Sequence, residues 1–372
     1  MKGGKMINKG EYGCIYDPPL ICRGEKEPRG GWKTKRLGKL TEISDVKGEI
    51  MATELFSKKP GSRKYLILPI LSTLCKTGPN GELAIIESEQ KERDFNNCSA
   101  LDRFGWKNMV HYQLDYGGMS ISQLFSDDVK LQTAMNGQFS YVKFMEQLLE
   151  IGAYLCINGF IHNDLHVGNI LLNKQFFPRL IDYGRAYYKN ITTTTLEEVG
   201  GMVYDAELGQ ITPEMTAQDG LNSDIEYSVI INDLKNKKPG FKYIEQLFNI
   251  SCEEQASDFN NFWKTSKCVQ QKDWLQFWKV YWPFIDSYAI GYDLIRMMVK
   301  MKTLSGWETS AWNEKKDTIQ KILIGLLKGS PRDRLDCVEA LALYNPNNVI
   351  IVNISGKTWL EKRKAQREML EK

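Results

Sequence analysis

The chain is expected to fold as an α+β protein in two parts: a small, β-rich N-terminal lobe with one main helix, then a larger, mostly helical C-terminal lobe. Three observations predict this. At 372 residues the chain exceeds a usual single domain and suits two packed parts. Before Asp115, short apolar runs alternate with turn residues, with one helical pattern between them. After Phe139, long segments repeat apolar residues at helical spacing. The expected boundaries are 1–118 for the first lobe, with insertions near 17–31 and 87–108, and 119–345 for the second, with a helical insertion near 216–282. A charged tail, 346–372, follows.

Composition narrows the class. Hydrophobic residues at 42% and aromatic ones at 11% supply ample core. A net charge of +3 is small and does not by itself imply a nucleic-acid partner. Eight cysteines, at Cys14, Cys22, Cys75, Cys98, Cys156, Cys252, Cys268 and Cys337, form no CxxC pair, so reduced and mostly buried thiols are expected. No apolar run is long enough to span a membrane, and MKGGKMINKGEYG lacks the apolar core of a secretory signal, which points to an intracellular protein.

In chain order, MINKGEYGCIY places Gly10 and Gly13 between Ile7 and Ile15. Glycine is required where backbone must approach a phosphate without a side chain in the way, and Asn8, two residues before Gly10, tolerates φ > 0 better than most residues. DPPLICRGEKEPRGG then reads as an exposed, mobile loop. Val46, Ile50, Ala52, Leu55 and Phe56 mark a helix between Ile43 and Lys59, stopped by Pro60-Gly61. Strands are expected at Tyr65–Leu71, Leu83–Ile86 and Val110–Leu114, the last running into the flexible DYGG turn at Asp115 to Gly118. Phe144, Leu148, Ile151, Leu155 and Cys156 define an amphipathic helix that closes at Asn158-Gly159.

The segment FIHNDLHVGNILLNKQFFPRLIDYGRA, Phe160 to Ala186, carries the chemistry. Ile170-Leu171-Leu172 and Arg179-Leu180-Ile181 read as a β-hairpin turned by Phe176-Phe177-Pro178. The hairpin sets Asp164 and Asn169 on the loop entering it and Asp182 on the loop leaving it. Phosphoryl transfer asks a protein mainly to position the nucleophile and neutralise phosphate charge. An Asp for the hydroxyl, with an Asn and an Asp as hard oxygen ligands for Mg²⁺, meets both needs.

HNDLHVGN resembles the catalytic loop HRDxxxxN of the protein-kinase superfamily, and DYG resembles its DFG. The resemblance implies a bilobal protein-kinase-like fold, with Asp164 as catalytic base, Asn169 as second metal ligand and Asp182 as principal Mg²⁺ ligand. It implies that Asn8, Gly10, Gly13 and Ile15 stand for the glycine-rich loop over ATP. Among Lys33, Lys35 and Lys39, Lys39 in LGKL best resembles the strand lysine, and Glu49, rather than Glu54, is its expected helix partner. Asp115 to Gly117 would offer backbone to adenine, and His166, where protein kinases usually carry Lys, would steady the transferring group. Mg²⁺, with Mn²⁺ as alternative, and ATP are the implied cofactors, and a protein substrate the implied partner.

Three later segments agree in order. Asp286 to Gly291 resembles DxWSxG, whose Asp hydrogen-bonds the catalytic-loop backbone; Thr212-Pro213-Glu214 resembles APE; and Arg334 in PRDRL resembles the late arginine that pairs with that Glu. DLHxxN also looks like the aminoglycoside and choline kinase branch, which usually lacks these elements. A small-molecule phosphotransferase and a pseudokinase scaffold are therefore the alternatives to a serine/threonine-protein kinase. Asn163, where many kinases have Arg, removes the usual receiver of an activation-loop phosphate, although Tyr187-Tyr188 and Thr192 to Thr195 offer acceptor hydroxyls between Arg185 and Gln210. The whole is similar to the divergent serine/threonine kinases of large nucleocytoplasmic DNA viruses, implying a viral protein of host cytoplasm or virion. The aromatic run before Asp286 is expected to be core, and the tail a solvated helix.

Overall fold

The computed structural model describes residues 5–10, 13–20, 22, 35–76, 97–193 and 203–370. The chain forms two compact units, Met1–Gly118 with Arg179–Ala186, and Met119–Pro178 with Tyr187–Lys372. Both β and α elements are present in the expected arrangement, sheet first and helices after.

The first unit is built on five antiparallel strands: β1 Lys5–Lys9, β2 Gly13–Asp17, β3 Arg36–Glu42, β4 Ile70–Lys76 and β5 Met109–Asp115, in the order β1-β2-β3-β5-β4. Side chains alternate between the faces of a sheet, and the register separates two chemistries. Lys39 pairs with Tyr112 and Ile15 with Lys39, while Leu40 pairs with His111 and Cys14 with Leu40. Helix α1, Val46–Phe56, covers the first face, where Val46, Ile50, Leu74, Val110, Tyr112 and Leu114 pack together. On the opposite face Cys14, Leu40 and Cys75 pack with Leu20, Cys22, Cys98, Ala100 and Leu101.

That opposite face corrects two expectations. Cys14 is bonded to Cys98 and Cys22 to Cys75, so only Cys156, Cys252, Cys268 and Cys337 are free thiols. The partners lie 84 and 53 residues apart, and no local pattern announces them. The loop after β2, expected to be exposed, is buried where it is described, Leu20 among the sheet's apolar residues. Residues 23–34, with Lys33, and the strand expected at Leu83–Ile86 fall outside the described residues.

His111 sits on the same face, fully buried, and among the described residues neither ring nitrogen is hydrogen-bonded. Burial pushes its imidazole down to about 3, so the ring is neutral. Each buried polar atom without a partner costs about 1–3 kcal/mol.

The strand expected at Tyr65–Leu71 is displaced. Gly61, at φ 77°, opens a short helix α2 at Ser62–Tyr65, and β4 begins only at Ile70. Between them Leu66 bridges Leu180 and the Ile67 N–H donates to the Leu180 carbonyl at 3.0 Å. Helix α3, Ser99–Phe104, follows Cys98.

In the second unit β6 Met119–Ser120 and α4 Ile121–Phe125 lead to α5 Asp128–Asn136 and α6 Tyr141–Asn158. Ser140 caps α6 by accepting from the Lys143 N–H, and Gly159 ends it at φ 66°. The predicted stripe of Phe144, Leu148, Ile151 and Leu155 is buried. Short strands follow at β7 Phe160–Ile161, β8 Ile170–Leu172 and β9 Pro178–Leu180; β7 pairs with β10 Tyr187–Tyr188, and β8 with β6. Asn173 Oδ1 accepts from the N–H groups of Gln175 and Phe177, which fixes the turn ahead of β9.

Helices then dominate: α7 Pro213–Asn222, α8 Tyr227–Lys237, α9 Pro239–Phe248, α10 Cys252–Thr265, α11 Lys267–Gln270, α12 Trp274–Tyr281, α13 Phe284–Met301, α14 Ser310–Leu327, α15 Cys337–Tyr344, α16 Val349–Val352 and α17 Ile354–Leu370. Phe259, Phe262, Trp263, Phe277 and Tyr281 form an aromatic cluster between α10 and α12, so the tryptophan-rich insertion is core, as expected. The tail is the expected charged helix, exposed along most of its described length but anchored at two residues. Trp359 Nε1 donates to buried Asp336 Oδ2 at 2.9 Å, and Arg363 Nε lies 3.2 Å from that oxygen. Asp336 also caps α15, so the tail helix satisfies a carboxylate that burial would otherwise penalise. Among the described residues, no helix is long and apolar enough to cross a membrane.

Candidate functional site

In the first unit, Lys39 Nζ lies 2.9 Å from Glu49 Oε1 and 2.8 Å from Asp182 Oδ1. β3 supplies the lysine, α1 the glutamate and the segment after β9 the aspartate, and each has a local reason for its place. The odd register of β3 turns Lys39 toward α1 together with Tyr112. Gly48, one residue before Glu49, lets the helix touch the backbone of Tyr183: a Cβ there would strike the Tyr183 carbonyl. Asp182 takes the left-handed conformation, φ 66°, and Tyr183 is buried with its hydroxyl on the Leu180 carbonyl. A strained Asp beside an anchored aromatic is a local arrangement held by its surroundings.

Burial alone would push the Lys39 ammonium down, but Asp182 and Glu49 outweigh it and hold the ammonium well above its ordinary value. Lys39 is therefore a fixed cation. Glu49 also accepts from the Tyr112 hydroxyl at 2.7 Å, which orients its carboxylate from below. Glu54, the other candidate, is exposed.

The glycine turn is closed by the Gly10 N–H donating to the Gly13 carbonyl at 2.8 Å. A Cβ on Gly13 would collide with the Leu40 carbonyl, so strand packing also requires this glycine. Ile15 faces Lys39 across β2 and β3. Asn8 lies within β1 at a register shift, outside the positive-φ residues. The Asp115 to Gly117 backbone is partly engaged, since the Tyr116 N–H donates to Lys35 and Arg179 donates to the Gly117 carbonyl at 2.8 Å.

The second unit holds the loop from His162 to Asn169. Asp286, in α13, accepts from the His162 N–H at 2.7 Å and from the Asn163 N–H at 3.0 Å. Burial raises its carboxyl pKa, and those N–H bonds act against the shift. Asn163 adopts φ 59° at this bend. Asn169 Nδ2 donates to the Asp164 carbonyl at 2.9 Å and to Asp164 Oδ2 at 3.2 Å, so its oxygen is the atom it can offer a cation. His166 Nδ1 accepts from the Gly168 N–H at 3.0 Å, and Nε2 lies 3.9 Å from Asp164 Oδ2. The ring is thus tied into the loop.

Glu214 and Arg334 form the expected buried pair, with contacts of 2.5 and 3.0 Å, and Arg334 also donates to the Lys328 and Gly329 carbonyls. Bidentate geometry with the remaining donors satisfied is what makes such a pair tolerable in a core.

Sequence reasoning missed three polar residues. Asp45, before α1, shares the surroundings of Lys39 and Asp182; burial, countered by Lys39 and helped by Asp182, raises its carboxyl to about 6. Tyr112 read only as a strand aromatic. Lys238, buried between α8 and α9, donates to the Leu208 carbonyl and to Thr216 Oγ1, and burial lowers it to about 7. Nothing local distinguishes Lys238 from its lysine neighbours.

No family model matches the chain, and no curated protein matches it. Among solved structures, the chain is similar to the kinase domain of a Toxoplasma gondii specific rhoptry antigen, at 11% identity and a TM-score of 0.47 over 98% of this chain and 82% of that one. A likeness of that degree carries no argument about this chain's activity.

Proposed function

We propose that the protein transfers the γ-phosphoryl group of ATP to Ser or Thr hydroxyls of proteins. The observation that carries this is the fixed Lys39 cation held by Glu49 and Asp182, the charge arrangement that phosphate binding by a protein kinase requires. Lys39 would hold the α- and β-phosphates, with Gly10, Gly13 and the Ile15 strand over them. For the expected ion, Asp182 would supply a carboxylate and Asn169 an amide oxygen, each a hard ligand of the kind that Mg²⁺ or Mn²⁺ takes. When bound, the ion would neutralise charge on the phosphates.

Asp164 would accept the proton of the attacking hydroxyl as its oxygen bonds to γ-phosphorus and the bond to the ADP oxygen breaks. Asn169 holds the Asp164 carboxylate, and the Asp286 bonds set the loop that bears it. The buried Glu214–Arg334 pair supports a protein substrate over a small amino alcohol, since small-molecule kinases usually lack it. Asn163 brings no charge for an activation-loop phosphate, which favours activity without such phosphorylation. A host-cytoplasmic or virion setting follows from the viral-kinase resemblance.

The test is transfer of radiolabel from ATP to a generic basic protein, beside a panel of aminoglycosides and choline. Asp164→Ala is expected to lose about 100-fold or more of the rate, the usual worth of general-base catalysis, while its circular dichroism is unchanged. Undiminished transfer by the folded variant would sink the assignment, and label in the small molecules alone would move it to the other branch.

A further inference from the structure

On the face of the sheet away from Lys39, Cys22, Cys75 and His111 bring two sulfurs and a ring nitrogen within 4.8 Å of one another. Cys75 and His111 are cross-strand partners on β4 and β5. Room for the ring is built in, because a Cβ on Gly38 would overlap His111 Nε2. All three residues are buried, and among the described residues neither His111 nitrogen has a hydrogen-bond partner. An interior imidazole with no partner on either nitrogen is rare and calls for an explanation. A cation would supply it.

We propose that Cys22, Cys75 and His111 form a Zn²⁺ site whenever the Cys22–Cys75 bond is reduced. Neutral imidazole and thiolate are the preferred ligands of this ion, and the three fill three of its four tetrahedral positions, the fourth falling to water. The conversion needs a dithiol reductant. Two electrons and two protons pass from it to the Cys22–Cys75 bond, giving two thiols and the oxidised reductant; Zn²⁺ then displaces the two thiol protons to solvent. The same residues thus clamp the loop after β2 to β4 in either condition, through a covalent bond when oxidised and through the ion when reduced. This site is independent of the phosphotransfer reading.

The experiment uses the full chain carrying Cys252→Ser and Cys268→Ser, which removes the partly exposed free thiols. The protein is reduced, freed of reductant without air, and titrated with Zn²⁺ against a chromophoric chelator, and with Co²⁺ for its thiolate charge-transfer absorption. One equivalent per chain is expected after reduction and none before. His111→Gln and the Cys22→Ser/Cys75→Ser pair should weaken binding by more than about 100-fold, since even outer-shell changes cost up to that much. Cys14→Ser/Cys98→Ser should keep the stoichiometry. If the reduced protein loses its circular dichroism, one equivalent of Zn²⁺ should restore it. A reduced protein that takes up no ion, fails to be restored by it, or binds it equally well with His111→Gln overturns the proposal.

Discussion

The two faces of the N-terminal sheet solve opposite problems with the same five strands. One face gathers charge: Lys39 between Glu49 and Asp182, with Asp45 nearby and the Tyr112 hydroxyl beneath. The other excludes charge and is closed by two disulfides around a neutral imidazole. A one-residue step along β3 or β5 moves from one to the other, Lys39 to Leu40 or Tyr112 to His111. The comparison teaches that the polar face holds its geometry through mutual charge compensation, whereas the other holds it through covalent ties across insertions. Each should therefore fail in its own way.

The largest effect is expected on the charged face. Lys39→Met strips the cation from buried Glu49, and breaking a buried pair from one side costs about 3–5 kcal/mol, to be read in the urea midpoint. If the midpoint does not move, Tyr112 and solvent already compensate Glu49 and the balance of charges is misread.

On the covalent face, Cys14→Ser/Cys98→Ser opens a bridge between residues 84 apart and should cost about 2–4 kcal/mol. The loss should vanish when both proteins are measured in strong reductant. A loss that persists there would trace to packing instead of the bond.

Tyr112→Phe removes one hydroxyl from Glu49 and should cost about 1–2 kcal/mol, as for a hydrogen bond to a charged group. Phosphotransfer should fall less than with Lys39→Met. An equal fall would make Tyr112 as important as the lysine.

The smallest effect concerns pH. The Asp45 carboxyl is raised from 3.8 to about 6 in the folded chain, so between those values the folded state binds more protons than the unfolded state. Its contribution is present below about 4 and is lost as pH rises toward 6. Asp45→Asn should flatten that part of the stability–pH curve by about 1 kcal/mol, allowing for its partial exposure. A curve identical to that of the wild type would remove Asp45 from the charged group.

Much of the charged face was legible in the sequence, and almost none of the other. Asp182 stands beside an apolar run at a spacing that local pattern reports, as do Asp164 and Asn169 in the second unit. Lys39 and Glu49 came from the resemblance of LGKL to a kinase strand motif, with the apolar stripe of the following helix favouring Glu49. The Asp286 contacts to the loop and the Glu214–Arg334 pair were anticipated from motif order alone. Cysteine pairing is different in kind: Cys22 meets Cys75 through sheet topology, which no window of sequence contains. The same holds for Trp359 and Arg363 on Asp336, which anchor the exposed tail helix at one edge. The displaced strand near Tyr65 was misjudged because Leu66 and Ile67 spend their backbone bonds on Leu180, a partner more than a hundred residues away.

Calorimetric titration of ATP with Mg²⁺ into the wild type and a folded Lys39→Met variant tests the central claim most directly. Saturable, Mg²⁺-dependent binding by the wild type, weakened by about tenfold or more in the variant as expected for losing a charge-assisted phosphate contact, is the outcome the charged face requires. A wild type that binds no ATP, or a variant that binds it as tightly, would contradict the account.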